Sequence, residues 1–169
     1  NPTATLAAPG TATTPNRDGL SFQTTVRSDT ASLNGMVAEV LGEYTSVHVL
    51  REPTRGGLAS ALNEICDASD AGIILYEDRI GINDSVRGAC EIMGFDPLYI
   101  ANEGKMLLIV PAEDAEGILD IMKSHPEGKD AVIIGEVTDE HPGMVRLRTT
   151  IGSTRIVDMI SGEQLPRIC

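Results

Sequence analysis

The sequence predicts an α/β fold in which helices cover a mixed β-sheet. Two observations lead to this prediction. Short apolar runs typical of strands alternate along most of the chain with segments whose apolar residues recur at helical spacing, and three further strand-like runs close it. In addition, 169 residues with 41% apolar content suffice for one well-buried core. We therefore expect one globular domain over residues 20–169.

The elements of the first half form β–α pairs, followed by one more strand. Apolar residues on one helix face mark the helices, and Thr30 or Ser32 is available as a cap for the first of them. In order, we predict a strand at 21–26, a helix over 33–40, a strand at 47–50, a helix over 58–66 and a strand at 72–76.

The second half continues the alternation and ends in strands. Asn83 or Asp84 is a candidate cap for a helix that Gly94 ends. A near-continuous apolar run then predicts a buried strand and its covering helix. In order, we predict a helix over 86–93, a strand at 105–110, a helix over 115–122 and strands at 131–137, 144–147 and 154–157. Residues 1–19 are rich in Thr, Ala, Pro and Gly and show no period, so we expect a linker or the remnant of a missing domain.

Charge and cysteine content exclude several classes of function. Thirteen basic against 25 acidic residues give a net charge of -12, which argues against nucleic acid or an anionic membrane as partner. No apolar run approaches the roughly 20 residues that span a bilayer, so we expect a cytoplasmic protein. Cys66 and Cys90 fall on core-facing helix stripes, and no histidine pair has the spacing of metal ligands, so no metal site is predicted.

The segment Thr54, Arg55, Gly56 and Gly57 lies between a predicted strand and a predicted helix. Glycines there allow close approach to a ligand, and a helix start favours phosphate or carboxylate. An ordinary strand-to-helix turn explains the same residues, because the pattern is not that of a known nucleotide-binding loop.

Two other segments carry candidate chemistry. Glu103, with Asn102 and Gly104, precedes the most apolar strand and is either an acid or base or part of a charged turn. Cys169, in the tail 162–169, has Arg167 two residues before it, which favours a thiolate. Such a thiol can carry an acyl-type group, or it can be an exposed cysteine without a function.

Three segments together resemble the C-terminal half of hydrogenase maturation factors of the HypE type, the carbamoyl dehydratases. They are Arg51–Leu58, the turn Asn102–Lys105 and the ending Leu165–Cys169, of which the last is the most specific. The similarity extends from about Leu20 to Cys169. The resemblance implies the fold of the C-terminal domain in the family related to aminoimidazole ribonucleotide (AIR) synthetase.

The resemblance also implies a reaction. Cys169 would receive a carbamoyl group from the carbamoyltransferase HypF, and ATP would drive its dehydration to a thiocyanate, whose cyanide passes to iron on the HypC–HypD scaffold for [NiFe]-hydrogenase. Glu103 would be the base. Thr54, Arg55, Gly56 and Gly57 would form a cleft wall near the nucleotide phosphates or the incoming tail.

The family's N-terminal half, which is not recognisable in residues 1–19, supplies most of the ATP site, the Mg-binding acids and the dimer interface. The resemblance therefore implies a homodimer for the full-length protein and an inactive chain when this domain is alone. Two alternatives stay open. One is a docking module for maturation partners, and the other is selenophosphate or thiamine-phosphate chemistry on the same fold, for which the terminal cysteine has no purpose.

Overall fold

A computed structural model describes residues 2–7 and 31–159, which form a mixed sheet with helices on both faces. The predicted α/β class is confirmed. The predicted strand at 21–26, the cap at Thr30 and the tail 162–169 with Cys169 lie outside the described residues.

Each element predicted between residues 31 and 159 is present to within a few residues. The order is β1 Pro2–Ala7, α1 Asn34–Glu43, β2 Val49–Arg51, α2 Gly57–Ser69, β3 Gly72–Tyr76, α3 Asp84–Met93, β4 Met106–Pro111, α4 Ala115–Ser124, β5 Val132–Thr138, β6 Val145–Arg148 and β7 Thr154–Ile156. Short 3-10 turns at Glu77–Arg79, Pro97–Tyr99 and Pro126–Gly128 were not predicted.

The sheet of the described residues has the strand order β2-β4-β1-β5-β3-β6-β7, with β3 and β6 parallel and the other neighbours antiparallel. Alternate side chains of β4 enter two separate cores. Leu107 and Ile109 pack with α2 on one face, whereas Leu108 and Val110 pack with α1 and α4 on the other. Because both faces of β4 are covered, its sequence is apolar throughout, as the prediction of a buried strand required.

Residues 1–19 show no strand period in the sequence, yet Pro2–Ala7 form a strand. This segment forms β1, which pairs with β4 on one side and β5 on the other. Backbone hydrogen bonds to two neighbours hold such a strand without the alternating apolar pattern by which strands are recognised in a sequence. The domain boundary at residue 20 stays a prediction.

The start of α1 also differs from expectation. Ser32 does not cap this helix, because its hydroxyl donates to the Asn34 side-chain oxygen at 2.6 Å, and Leu33 occupies the capping position without a side-chain bond. The end of α3 is as predicted, since Gly94 has a φ of +71°.

Candidate functional site

Strand register brings together two segments that the sequence separates. β2 and β4 are antiparallel, with Arg51 opposite Leu107, so the chain leaving β2 and the chain entering β4 lie at the same end of the sheet. The Asn102 N–H donates to the Pro53 carbonyl at 3.0 Å and joins the two. We call residues 52–57 and 100–105 the paired loops.

Gly57 packs closely against the backbone of Leu98 and Ile100. A Cβ there would lie 2.5 Å from the Ile100 carbonyl oxygen and 2.6 Å from that of Leu98. Gly56 and Gly57 both have a left-handed φ, +74° and +62°, and the Gly57 N–H donates to the Thr54 carbonyl. The start of α2 is thus held under the Pro97–Tyr99 turn. Close packing and a positive φ explain why residue 57 is a glycine, independently of any ligand.

We expect Gly57→Ala to lower the free energy of unfolding by about 2 to 4 kcal/mol, because the Cβ meets backbone atoms and φ is positive. Urea unfolding followed by circular dichroism measures the effect. Gly88→Ala is the matched control, since it lies in α3 with open space at its Cβ and should stabilise by about 0.5 to 1 kcal/mol. Equal stability of Gly57→Ala and the parent chain would contradict the packing argument.

Three polar side chains that are candidates for the site face solvent on the paired loops. Thr54, Arg55 and Glu103 are exposed. Among the described residues Arg55 has no ion-pair partner, so its guanidinium is available to an anion. Gly104, with a φ of +66°, makes the turn that follows Glu103.

Asn102 braces the turn that carries Glu103. Its side-chain N–H donates to the Ile100 carbonyl at 2.7 Å, and its side-chain oxygen accepts from the Lys105 ammonium at 2.7 Å. Together with the backbone bond to Pro53, these contacts fix both ends of the turn. The backbone that carries Glu103 is therefore held in place.

The Pro97–Tyr99 turn is part of the site and was not predicted. Asp96 caps it by accepting from the Leu98 N–H at 3.0 Å, and Pro97 occupies the first position. Asp followed by Pro is a recognised start signal for a helical turn, so this element could have been found. The contact of this turn with Gly57 could not have been found from the sequence.

The last described residues lie against this same turn. Val157 is buried, and the Asp158 carbonyl accepts a hydrogen bond from the Tyr99 hydroxyl at 2.8 Å. The ten residues 160–169 follow Met159 and end with Cys169. Ten residues extend at most about 35 Å, so the chain length beyond Met159 does not keep Cys169 from the paired loops.

The two core cysteines lack the thiol reactivity that an acyl carrier needs. Both are buried, as predicted. Burial, followed by the charge of Asp67, raises the pKa of the Cys66 thiol to about 11. Burial, followed by the charge of Asp96, raises the pKa of Cys90. Because the thiolate is the nucleophile, both thiols are poorly reactive at neutral pH.

Brief treatment of the folded chain with iodoacetamide at pH 8 should leave Cys66 and Cys90 unmodified. At that pH about one Cys66 thiol in a thousand is ionised, and the fraction rises with pH. Peptide mass mapping should place every alkyl group on Cys169, whereas denatured chain should react at all three cysteines. Native alkylation of Cys66 at the denatured rate would contradict its burial.

The described residues contain neither a metal-binding cluster nor a membrane-spanning helix. No group of three or more His, Cys, Asp or Glu side chains within residues 2–7 and 31–159 could hold a metal ion. In the same part of the chain, no helix is long and apolar enough to cross a membrane.

Residues 6–148 match the family described as AIR synthase related protein, C-terminal domain. The chain belongs to this family. Among AIR synthase-related proteins, it is 48% identical over 153 residues to the carbamoyl dehydratase HypE of Azotobacter vinelandii, an alignment that covers 90% of this chain and 45% of that protein. The resemblance stated from the sequence motifs is confirmed.

Solved structures of the AIR synthase-related family agree with the fold. A crystal structure of the hydrogenase maturation protein HypE in complex with ATP superposes with a TM-score of 0.87 at 39% identity, covering 99% of this chain and 52% of that one. A HypE–HypF complex gives 0.85 at 42%, covering 93% and 52%. The chain thus spans about half the length of the relatives it matches.

Proposed function

We propose that this chain is the C-terminal domain of a carbamoyl dehydratase that makes the cyanide ligand of [NiFe]-hydrogenase. Cys169 accepts a carbamoyl group, and ATP drives its dehydration to a thiocyanate. The 48% identity to a protein named carbamoyl dehydratase is the observation that carries the proposal. The contact between the paired loops supports it, because it puts Glu103 and Arg55 at one end of the sheet.

The chemistry needs an acceptor and a base. The oxygen of the S-carbamoyl group on Cys169 accepts the γ-phosphoryl group of ATP, and ADP is the leaving group. One N–H proton is removed in this step. Loss of phosphate breaks the C–O bond, the second N–H proton leaves, and the S–C≡N group results. We assign proton removal to Glu103, whose exposed carboxylate sits on a braced turn.

The paired loops supply only part of a nucleotide site. Arg55 and Thr54 offer a cation and a hydroxyl to a phosphate, and Gly56 and Gly57 shape the loop that presents them. One unpaired cation fits a single phosphate group and not a triphosphate with Mg. We therefore assign ATP and Mg binding mainly to the half of the relatives that this chain does not span.

Partners follow from the same assignment. One of the similar solved structures is a HypE–HypF complex, and we infer that a HypF-type carbamoyltransferase loads Cys169. We further infer that the cyanide passes to a HypC–HypD scaffold in the cytoplasm, that the full-length protein is a homodimer, and that neither nucleic acid nor a membrane is bound.

Intact-mass measurement tests the proposal. The chain is incubated with the carbamoyltransferase, carbamoyl phosphate and ATP, beside a full-length carbamoyl dehydratase as reference. We expect one carbamoyl adduct on this chain without dehydration, and adduct followed by loss of one water on the reference. A reference that reacts beside a chain without adduct would refute the carrier role.

A further inference from the structure

We propose that Tyr99 and Asn63 are positioning residues that fix the point where the Cys169 tail leaves the domain, beside the paired loops. The inference rests on the proposed function and deepens it, because it concerns how the acceptor thiol is directed to Glu103. We call residues 157–159 the tail root.

The first contact with the tail root is a buried side chain of α2. Asn63 is 8% exposed, and its side-chain N–H groups donate to the carbonyls of Ala59 and Val157, both at 2.8 Å. The Val157 N–H donates to Val145 at 2.8 Å, so both backbone groups of this residue are bonded. A buried amide with both hydrogens engaged is a strong orienting contact, since breaking it leaves buried polar groups unsatisfied.

The second contact comes from the turn over Gly57. The Tyr99 hydroxyl donates to the Asp158 carbonyl at 2.8 Å. Burial, followed by the charge of Asp96, raises the pKa of Tyr99, so the hydroxyl keeps the proton it donates. An Asp96–Arg155 ion pair of 2.6 Å joins the same turn to β7, just before the tail root.

The Pro97–Tyr99 turn therefore adjoins the segment that carries the proposed base and also contacts the tail root. One side of it packs on Gly57, and the chain that follows it forms the Glu103 turn. Its last residue holds the tail root through Asp158. The effective concentration of a tethered group at its target depends on how well the tether length matches the distance to be spanned, so the position of the anchor matters. These contacts anchor the tail root beside the loop that carries Glu103.

The rate at which Cys169 forms a disulfide with an introduced cysteine measures how readily the tail reaches that position, without any enzymatic step. In a Glu103→Cys chain, oxidised glutathione oxidises the introduced thiol and Cys169 to an intramolecular disulfide, itself being reduced to two glutathione molecules. The control is Glu113→Cys, which places an exposed thiol beyond the other end of β4. We expect closure about fivefold or more faster at position 103.

Tyr99→Phe in the Glu103→Cys chain removes only the hydroxyl. We expect closure to slow by about 2- to 10-fold, the range set by loss of one hydrogen bond. Tyr76→Phe is the matched control, because it removes a hydroxyl bonded to Glu136 away from the tail root and should not change the rate. Equal rates at positions 103 and 113, or an unchanged rate in Tyr99→Phe, would overturn the inference.

These outcomes are independent of carbamoyl transfer. If Cys169 accepts no carbamoyl group but closure follows the expected pattern, the proposed function fails while the anchoring role stands. If the adduct forms and closure shows no preference, the carrier role stands and the anchoring role of Tyr99 and Asn63 fails.

Discussion

Cys169→Ala is expected to abolish the carbamoyl adduct completely. The two other thiols cannot substitute, because Cys66 and Cys90 are buried in the core and burial raises the pKa of each. Intact mass after incubation with the carbamoyltransferase, carbamoyl phosphate and ATP gives the result directly. The expected effect is loss of all adduct, the largest change that this chain can show.

Two matched variants separate the role of Cys169 from the presence of any cysteine. Cys66→Ala and Cys90→Ala should each keep the full adduct, although Cys66→Ala leaves a small cavity in the core. An adduct that persists in Cys169→Ala and disappears in either core variant would reverse the assignment.

Glu103→Gln is expected to leave the adduct in place and slow its dehydration by about 100- to 10,000-fold, the range typical for loss of a general base. Glutamine keeps the size of the side chain and removes the negative charge, so the braced turn should be preserved. The measurement requires a protein that joins this domain to the N-terminal half of a full-length relative. Loss of one water mass from the adduct is followed over time after ATP is added.

The unsubstituted joined protein must dehydrate its adduct for the comparison to be informative. Glu113→Gln is the control, since it neutralises an exposed carboxylate at the other end of β4 and should retain the full rate. If Glu103→Gln dehydrates as fast as that control, Glu103 is not the base, and the proton acceptor lies in the other half of the protein.

Local pattern was enough to predict most of the fold. The helical spacing of apolar residues located α1 to α4, and the continuous apolar run of β4 indicated a strand covered on both faces. β1 was missed because its place between β4 and β5 depends on backbone pairing with distant strands. Ser32 was proposed as a cap because of its residue type, but its hydroxyl bonds Asn34 instead.

Single residues of the candidate site could be recognised in the sequence, but the contacts between its segments could not be predicted from it. Gly57 could be recognised as a residue that relieves backbone strain, but its contact with Leu98 and Ile100 follows from tertiary packing. The proximity of Pro53 and Asn102 depends on the register between β2 and β4, which no local pattern reveals. Family resemblance supplied the roles of Glu103 and Cys169, and those roles stay predictions.

The register of β2 against β4 also has a consequence for how the domain can vary. The paired loops meet because Arg51 lies opposite Leu107, and the length of chain between them plays no part in that pairing. Gly81 is exposed and a Cβ there would meet no atom within 4 Å, so we expect an insertion at this position to lengthen the intervening chain while the β2–β4 register is kept. The entropic cost of a longer loop grows slowly, about 0.6 kcal/mol per doubling. The domain can therefore acquire new surface segments there while its candidate site stays intact.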